Sequence, residues 1–106
     1  MLRIRAGEAH RFIGIWVVVV GRRVFVRSWD VRAGGWYRAF VEERLGAIRI
    51  GDREIAVRAV RTRSERVKTA VDRAYATKYT TPASRKYVLG FRARRRRDAT
   101  LELVPA

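Results

Sequence analysis

The sequence predicts a mainly β protein, a small antiparallel β-barrel of six strands with two short helices, in one domain over residues 1–106. Three observations point there. Residues 12–20 are apolar without interruption and rich in β-branched and aromatic side chains, the pattern of a strand buried on both faces. Two glycine-led dipeptides, Gly21-Arg22 and Gly51-Asp52, each join a pair of β-prone arms as hairpin turns. With 48% hydrophobic residues in 106, the chain can build one core and no more. A strand with no solvent face must be covered by barrel closure, by helices or by a second subunit.

Taken in order, residues 1–6 alternate Leu2 and Ile4 with Arg3 and Arg5, a half-exposed strand. Residues 7–10 form a turn carrying His10, the only histidine, which reads as a surface residue. The central hairpin follows, with Gly21 at the first position of a type II′ turn and a second arm ending on Arg27 and Ser28. Its first arm places Trp16, Val18 and Val20 on one side and Ile15, Val17 and Val19 on the other, both sets buried. A loop holding Gly34-Gly35 leads to a helix with Trp36, Tyr37, Phe40, Val41 and Leu45 along one side, closed by Gly46 as its C′ glycine. The second hairpin sends Ile55, Val57 and Ala59 inward and Glu54, Ala56 and Arg58 outward.

Thr62 and Glu65 read as a capping box for a helix whose face is Val67, Ala70, Val71, Ala74, Tyr75 and Tyr79. Thr81-Pro82 ends that helix. Residues 83–91 fit either a helical turn or an extended segment. Residues 92–97 hold five arginines in six positions, a run that reads as a solvated connector. The last strand turns Leu101 and Leu103 inward around Glu102.

Composition narrows the chemistry. The chain lacks cysteine, so thiolate nucleophiles, thiolate metal sites and disulfides are excluded. One histidine and ten carboxylates without metal-ligand spacing leave hydrolytic catalysis without its parts. The longest apolar run is too short to span a bilayer and no signal peptide precedes it, so the expectation is a cytoplasmic protein with no membrane partner. The net charge is +15, and 22 of the 25 basic residues are arginine. That excess is either arginine-for-lysine usage with most side chains solvated, or an electropositive face for a phosphate-bearing partner.

The ordered motifs carry a resemblance over nearly the whole chain. Ile15-Trp16 followed by valines, then Val24-Phe25-Val26-Arg27-Ser28, a glycine loop, Trp36-Tyr37-Arg38, Asp72 with Tyr75, Lys78 and Tyr79, and a closing Leu101-Glu102-Leu103-Val104-Pro105 together resemble a bacterial domain family of unknown function within the flavin-binding split-barrel superfamily. That superfamily includes deazaflavin-dependent nitroreductase-like proteins. The resemblance implies a six-stranded split barrel, a homodimer, and a flavin or deazaflavin cofactor in a cleft lined by Arg27, Ser28, Trp36 and Tyr37. Two features depart from those relatives: residues 7–11 lack their Gly-Arg-x-Ser-Gly segment, and Ala39 stands where they carry asparagine.

The residue types fit such a phosphorylated cofactor. Arg27 offers a guanidinium fork and Ser28 a hydroxyl at the end of a buried strand. Gly34 and Gly35 allow backbone amides close to an anion, and Trp36, beside Tyr37 at a helix start, offers a flat face. In the plainer alternative Trp36 and Tyr37 are core anchors and Arg27 pairs with a carboxylate. Two further functions compete with a flavin-dependent oxidoreductase. One is a basic barrel that stacks single-stranded nucleic acid on Trp29, Trp36 and Tyr37; the other is a structural homodimer without ligand.

Overall fold

A computed structural model describes residues 2–7, 12–29 and 35–106. Within them the chain runs β1 (Leu2–Ala6), β2 (Ile13–Ile15), β3 (Val17–Val20), β4 (Arg23–Arg27), α1 (Trp36–Glu43), β5 (Leu45–Ile50), β6 (Arg53–Arg61), α2 (Glu65–Lys78), α3 (Pro82–Gly90), α4 (Arg94–Arg97) and β7 (Thr100–Pro105). All strands join one antiparallel sheet in the order β2-β1-β5-β6-β7-β4-β3. The two edge strands are consecutive in the chain, separated by Trp16 alone. The sheet therefore curls until both edges lie on one segment, a nearly closed barrel.

The expected six strands are thus seven among the described residues, and the two helices are four. The uniform run over residues 12–20 breaks at Trp16, its first half pairing with β1 and its second with β4. A ladder can change partners only if the backbone groups at the break find others. Two tyrosines of α2 and its C-terminal end supply them. The Tyr75 hydroxyl donates to the Trp16 carbonyl at 3.1 Å and accepts the Arg27 N–H at 3.0 Å. The Tyr79 hydroxyl accepts the Val17 N–H at 3.1 Å, and Lys78 Nζ donates to the Val17 carbonyl at 2.7 Å.

The strand's two faces serve two cores. Ile15 and Val17 face the barrel interior with Ile4, Val26, Phe40, Val57, Leu101 and Leu103. Trp16, Val18 and Val20 face outward onto α2 and α3, packing with Phe25, Val71, Tyr75, Val88 and Phe91. The expected burial of both sets fails at Val19, which is 59% exposed. It pairs with Val24 one step from the hairpin tip, past the packed interior. Both hairpins form as read: Gly21 and Gly51 take φ of 63° and 58°, and the strands pair Val20 with Arg23 and Ile50 with Arg53.

Two terminal signals are corrected. α1 stops at Glu43, and Arg44 itself takes the left-handed cap at φ 64°, its N–H bonding the Phe40 carbonyl. Gly46 lies instead in β5, where an added Cβ would sit 2.1 Å from the Arg5 carbonyl oxygen and 2.6 Å from the Phe40 ring. Close strand approach, not helix capping, requires that glycine. α2 is capped by Ser64, whose hydroxyl accepts the Val67 N–H at 3.2 Å. Thr62 lies two residues upstream of that cap, its N–H held by the Thr100 carbonyl at 3.0 Å as a continuation of the sheet and its buried hydroxyl without a partner among the described residues. Residues 83–91 resolve as helix: Thr81 caps α3 and Pro82 occupies its first turn.

Candidate functional site

All three tryptophans of the chain, Trp16, Trp29 and Trp36, line one cavity of about 400 Å³, together with Gly14, Ile15, Arg27, Tyr87 and Phe91. Each wall comes from a different element. Trp16 sits at the break between β2 and β3, Trp29 two residues beyond β4, and Trp36 at the first position of α1. Tyr87 and Phe91 stand four residues apart along and just past α3, the spacing that stacks two side chains on one helix face.

The rings brace one another. Trp16 stacks on Tyr79 at 4.1 Å between centroids with planes 7° apart, and meets Tyr87 edge-on at 5.8 Å. Trp29 meets Tyr87 at 5.0 Å and Phe91 at 5.7 Å, both edge-on. Such offset and edge contacts hold ring planes in defined orientations. The Trp29 indole also lies across Gly90, where a Cβ would come within 2.3 Å of the ring, so a glycine at the end of α3 sets how close this wall can come. Over Trp29 lies the Arg96 guanidinium, 3.5 Å from the ring centroid, its Nε on the Trp29 carbonyl at 2.9 Å. The arginine run read as a connector therefore includes a helical turn, α4, that fixes one cation against Trp29, a residue of the cavity wall.

Arg27 borders the cavity but is 2% exposed, and its donors are engaged. Nε donates to Thr100 Oγ1 at 2.7 Å, Nη2 to the Lys68 carbonyl at 2.9 Å, and Nη1 to the Phe91 carbonyl at 3.2 Å and to Asp72 Oδ1. Burial pulls this guanidinium below the usual arginine value, and the Asp72 carboxylate works against that shift. Asp72 Oδ2 in turn accepts from Arg97 Nε at 3.1 Å, and Arg97 reaches Glu65 at 2.7 Å. Lys68 completes the chain with Glu65 at 3.0 Å and Asp98 at 2.8 Å. Three cations and three carboxylates thus bind α2 to β4, α4 and the start of β7.

Of the other residues proposed from sequence, Ser28 is 1% exposed and Tyr37 6%, both within the packed interior and not on the cavity wall. Gly35 is the residue preceding α1, extended at φ −80°. Gly34 lies outside the described residues, as does His10. Arg27 and Trp36 are the pair that the fold brings to the cavity. Sequence reasoning missed Trp16 as a wall, and Tyr87, Phe91 and Arg96 altogether. The i, i+4 spacing of Tyr87 and Phe91 beside Thr81-Pro82, a helix start, was the available signal.

The cavity offers flat apolar faces and the engaged Arg27, with Arg96 stacked on one of its wall tryptophans. The Tyr75 phenol, bonded to the Trp16 carbonyl and the Arg27 N–H, is pushed by burial well above the ordinary tyrosine value. That phenol serves as a neutral hydrogen-bonding group and not as a base. Among the described residues no helix is long and apolar enough to cross a membrane. The model of a bacterial family, described as an uncharacterized protein conserved in bacteria (DUF2255), matches residues 2–103. No curated protein matches the chain.

Proposed function

The chain belongs to this DUF2255 family, and we propose that it binds a planar heteroaromatic ligand in the tryptophan-lined cavity, with a flavin or deazaflavin as the candidate class. The observation that carries the reading is the convergence of every tryptophan in the chain on one cavity with Tyr87 and Phe91. A volume near 400 Å³ lies within the range of small-molecule and cofactor sites. The ring would lie against Trp29, Trp36 and Tyr87. A flavin supplies hydride or electron transfer when bound, so the protein's task is to hold the ring, exclude water and place an anion contact. Arg27 is unsuited to that contact because its guanidinium is occupied by Asp72, Thr100 and two carbonyls. Arg96, stacked on Trp29, is the nearby cation that would meet a ligand phosphate reaching past that wall.

The test uses the tryptophans as reporters. Titration with riboflavin, its monophosphate and a deazaflavin should quench most of the intrinsic tryptophan fluorescence, because all three indoles border the site. Trp29→Ala should weaken binding roughly five- to hundredfold, the loss of one stacking face. Arg96→Ala should weaken the monophosphate more than riboflavin. Absence of quenching by any of the three at millimolar concentration removes the reading, and equal loss of riboflavin and its monophosphate in Arg96→Ala removes the Arg96 contact.

A further inference from the structure

A second concave surface lies away from the aromatic cavity, between the end of α1 and the later half of β6. It encloses about 400 Å³ and is lined by Val41, Arg44, Arg58, Val60, Arg61 and Arg63, with Leu101 at its floor. Four of the lining side chains are guanidinium groups and none is a carboxylate. All four arginines are exposed, and no ion pair or hydrogen bond engages their side chains among the described residues. Glu54 pairs with Arg5 and Arg49, Glu102 with Arg23, and Glu65 and Asp72 join the α2 network, while Glu42 and Glu43 at the end of α1 do not line the groove.

The backbone holds this grouping in place. Arg44 takes its left-handed cap conformation and its carbonyl accepts the Ala59 N–H at 2.7 Å, which fastens the end of α1 onto β6. Arg58 and Arg61 ride on β6 itself, and Arg63 follows where the Thr62 N–H is tied to β7. Like charges so placed repel one another unless an anion separates them. At about 3.3 Å per extended residue, the stretch from Arg58 to Arg63 runs roughly 16 Å. That is too long for one phosphate group and matches several consecutive phosphates of a duplex strand, about 3.4 Å apart along the axis.

We infer that this groove binds the phosphodiester backbone of double-stranded nucleic acid, without reading its sequence. No aromatic residue lines it, so it has no platform for stacking unpaired bases. A flat bilayer cannot enter a concave groove, whereas a ridge of phosphates can. The attraction is electrostatic and salt-dependent, each neutralised phosphate steepening the fall of affinity with salt.

The experiment is anisotropy of a labelled duplex of about 16 base pairs, titrated between about 50 and 200 mM salt. Arg58→Ser/Arg61→Ser should lower the log–log salt slope by about 0.9 for each phosphate no longer neutralised, near 1.8 in total, and weaken binding at low salt. A charge-matched control, Arg22→Ser/Arg53→Ser, removes two exposed arginines at hairpin turns and should leave the slope close to that of the unmodified protein. Thermal melts of both variants check that they fold. An equal slope change in the control means that net charge alone attracts the duplex and overturns the groove. Absence of duplex binding overturns it as well. Displacement of the duplex by inorganic phosphate at matched ionic strength assigns the groove to a small anion and overturns the nucleic-acid reading.

Discussion

Beneath α2, Arg27 lies almost wholly out of water, with donors on Asp72, Thr100 and the carbonyls of Lys68 and Phe91. Beside β6, Arg44, Arg58, Arg61 and Arg63 crowd one groove with no carboxylate among them. The same side chain thus does two opposite things in one small barrel. Arg27 holds elements together, because a buried guanidinium is tolerated only when its partners replace its hydration. The side chains of the groove arginines have no hydrogen-bond or ion-pair partner among the described residues. Arg96 stands between the extremes, half-buried over Trp29 with part of its fork on carbonyls. Which donors remain unengaged, and not how much charge is present, separates an arginine that builds the fold from one that can meet a ligand.

The largest loss is expected at the buried arginine. Asp72→Ala leaves Arg27 and Arg97 without their shared carboxylate, and an uncompensated buried charge costs about 3–5 kcal/mol. For a domain of this size that lowers Tm by roughly ten degrees or more. Arg27→Met removes the charge but leaves Thr100 Oγ1 and two carbonyls without their donor, so its cost should be smaller than that of Asp72→Ala. Thermal melts of the two variants decide it. A shift of only a degree or two in Asp72→Ala would mean that Arg27 is not the structural pin drawn here.

Much of the barrel was legible because its signals are local. Hairpins at Gly21-Arg22 and Gly51-Asp52, the inward face of β6, and Leu101 and Leu103 in β7 all depend on neighbours within a few residues. What escaped depends on distant partners. The break at Trp16 needs hydroxyls from Tyr75 and Tyr79, some sixty residues on, and the occupation of Arg27 needs Asp72, 45 residues away. Gly46 looked like a helix stop because nothing local announces that Arg5 passes against it. Thr62 and Glu65 had the right spacing for a capping box, but strand pairing with Thr100 had already claimed the threonine backbone. The candidate site suffered likewise. Trp36 and Arg27 were found from a loop's chemistry, whereas Trp29, Tyr87 and Phe91 meet only once α3 folds back over β4.

Lys68, buried but paired with exposed carboxylates, lies between Arg27 and the groove arginines. Lys68 holds Asp98 and Glu65, and its hydrogen bonds lower the pKa of Asp98, as those of Arg97 and Lys68 do for Glu65. A carboxylate with a lowered folded-state value contributes stability that is complete above its unfolded pKa, near ~4. That contribution fades as pH falls through the lowered value. Both carboxylates are exposed and screened by solvent, so Lys68→Met should lower Tm only slightly at neutral pH. The gap in Tm between the two proteins should then narrow steadily below about pH 4. A gap that is constant across the acid limb would assign the loss to packing of the Lys68 stem and not to its ion pairs.

The smallest effect tests the exposed end. Because Arg58 and Arg61 have no partner to lose among the described residues, Arg58→Ser/Arg61→Ser should move stability by no more than about 0.5 kcal/mol. The sign is the informative part. In a chain of net charge +15, removing two guanidiniums from a groove that holds four relieves repulsion, so the variant should be slightly the more stable at low salt. Salt screens that repulsion over a length of about 10 Å at 0.1 M and about 3 Å at 1 M, so the gain should vanish in concentrated salt. The Asp72→Ala loss, set in a buried site that ions do not enter, should persist there. Chemical denaturation with urea, which is uncharged, at both salt concentrations measures the two variants side by side. A clear loss of stability in the double arginine variant at either salt would show that these side chains brace the fold after all, and the two kinds of arginine would no longer be distinct.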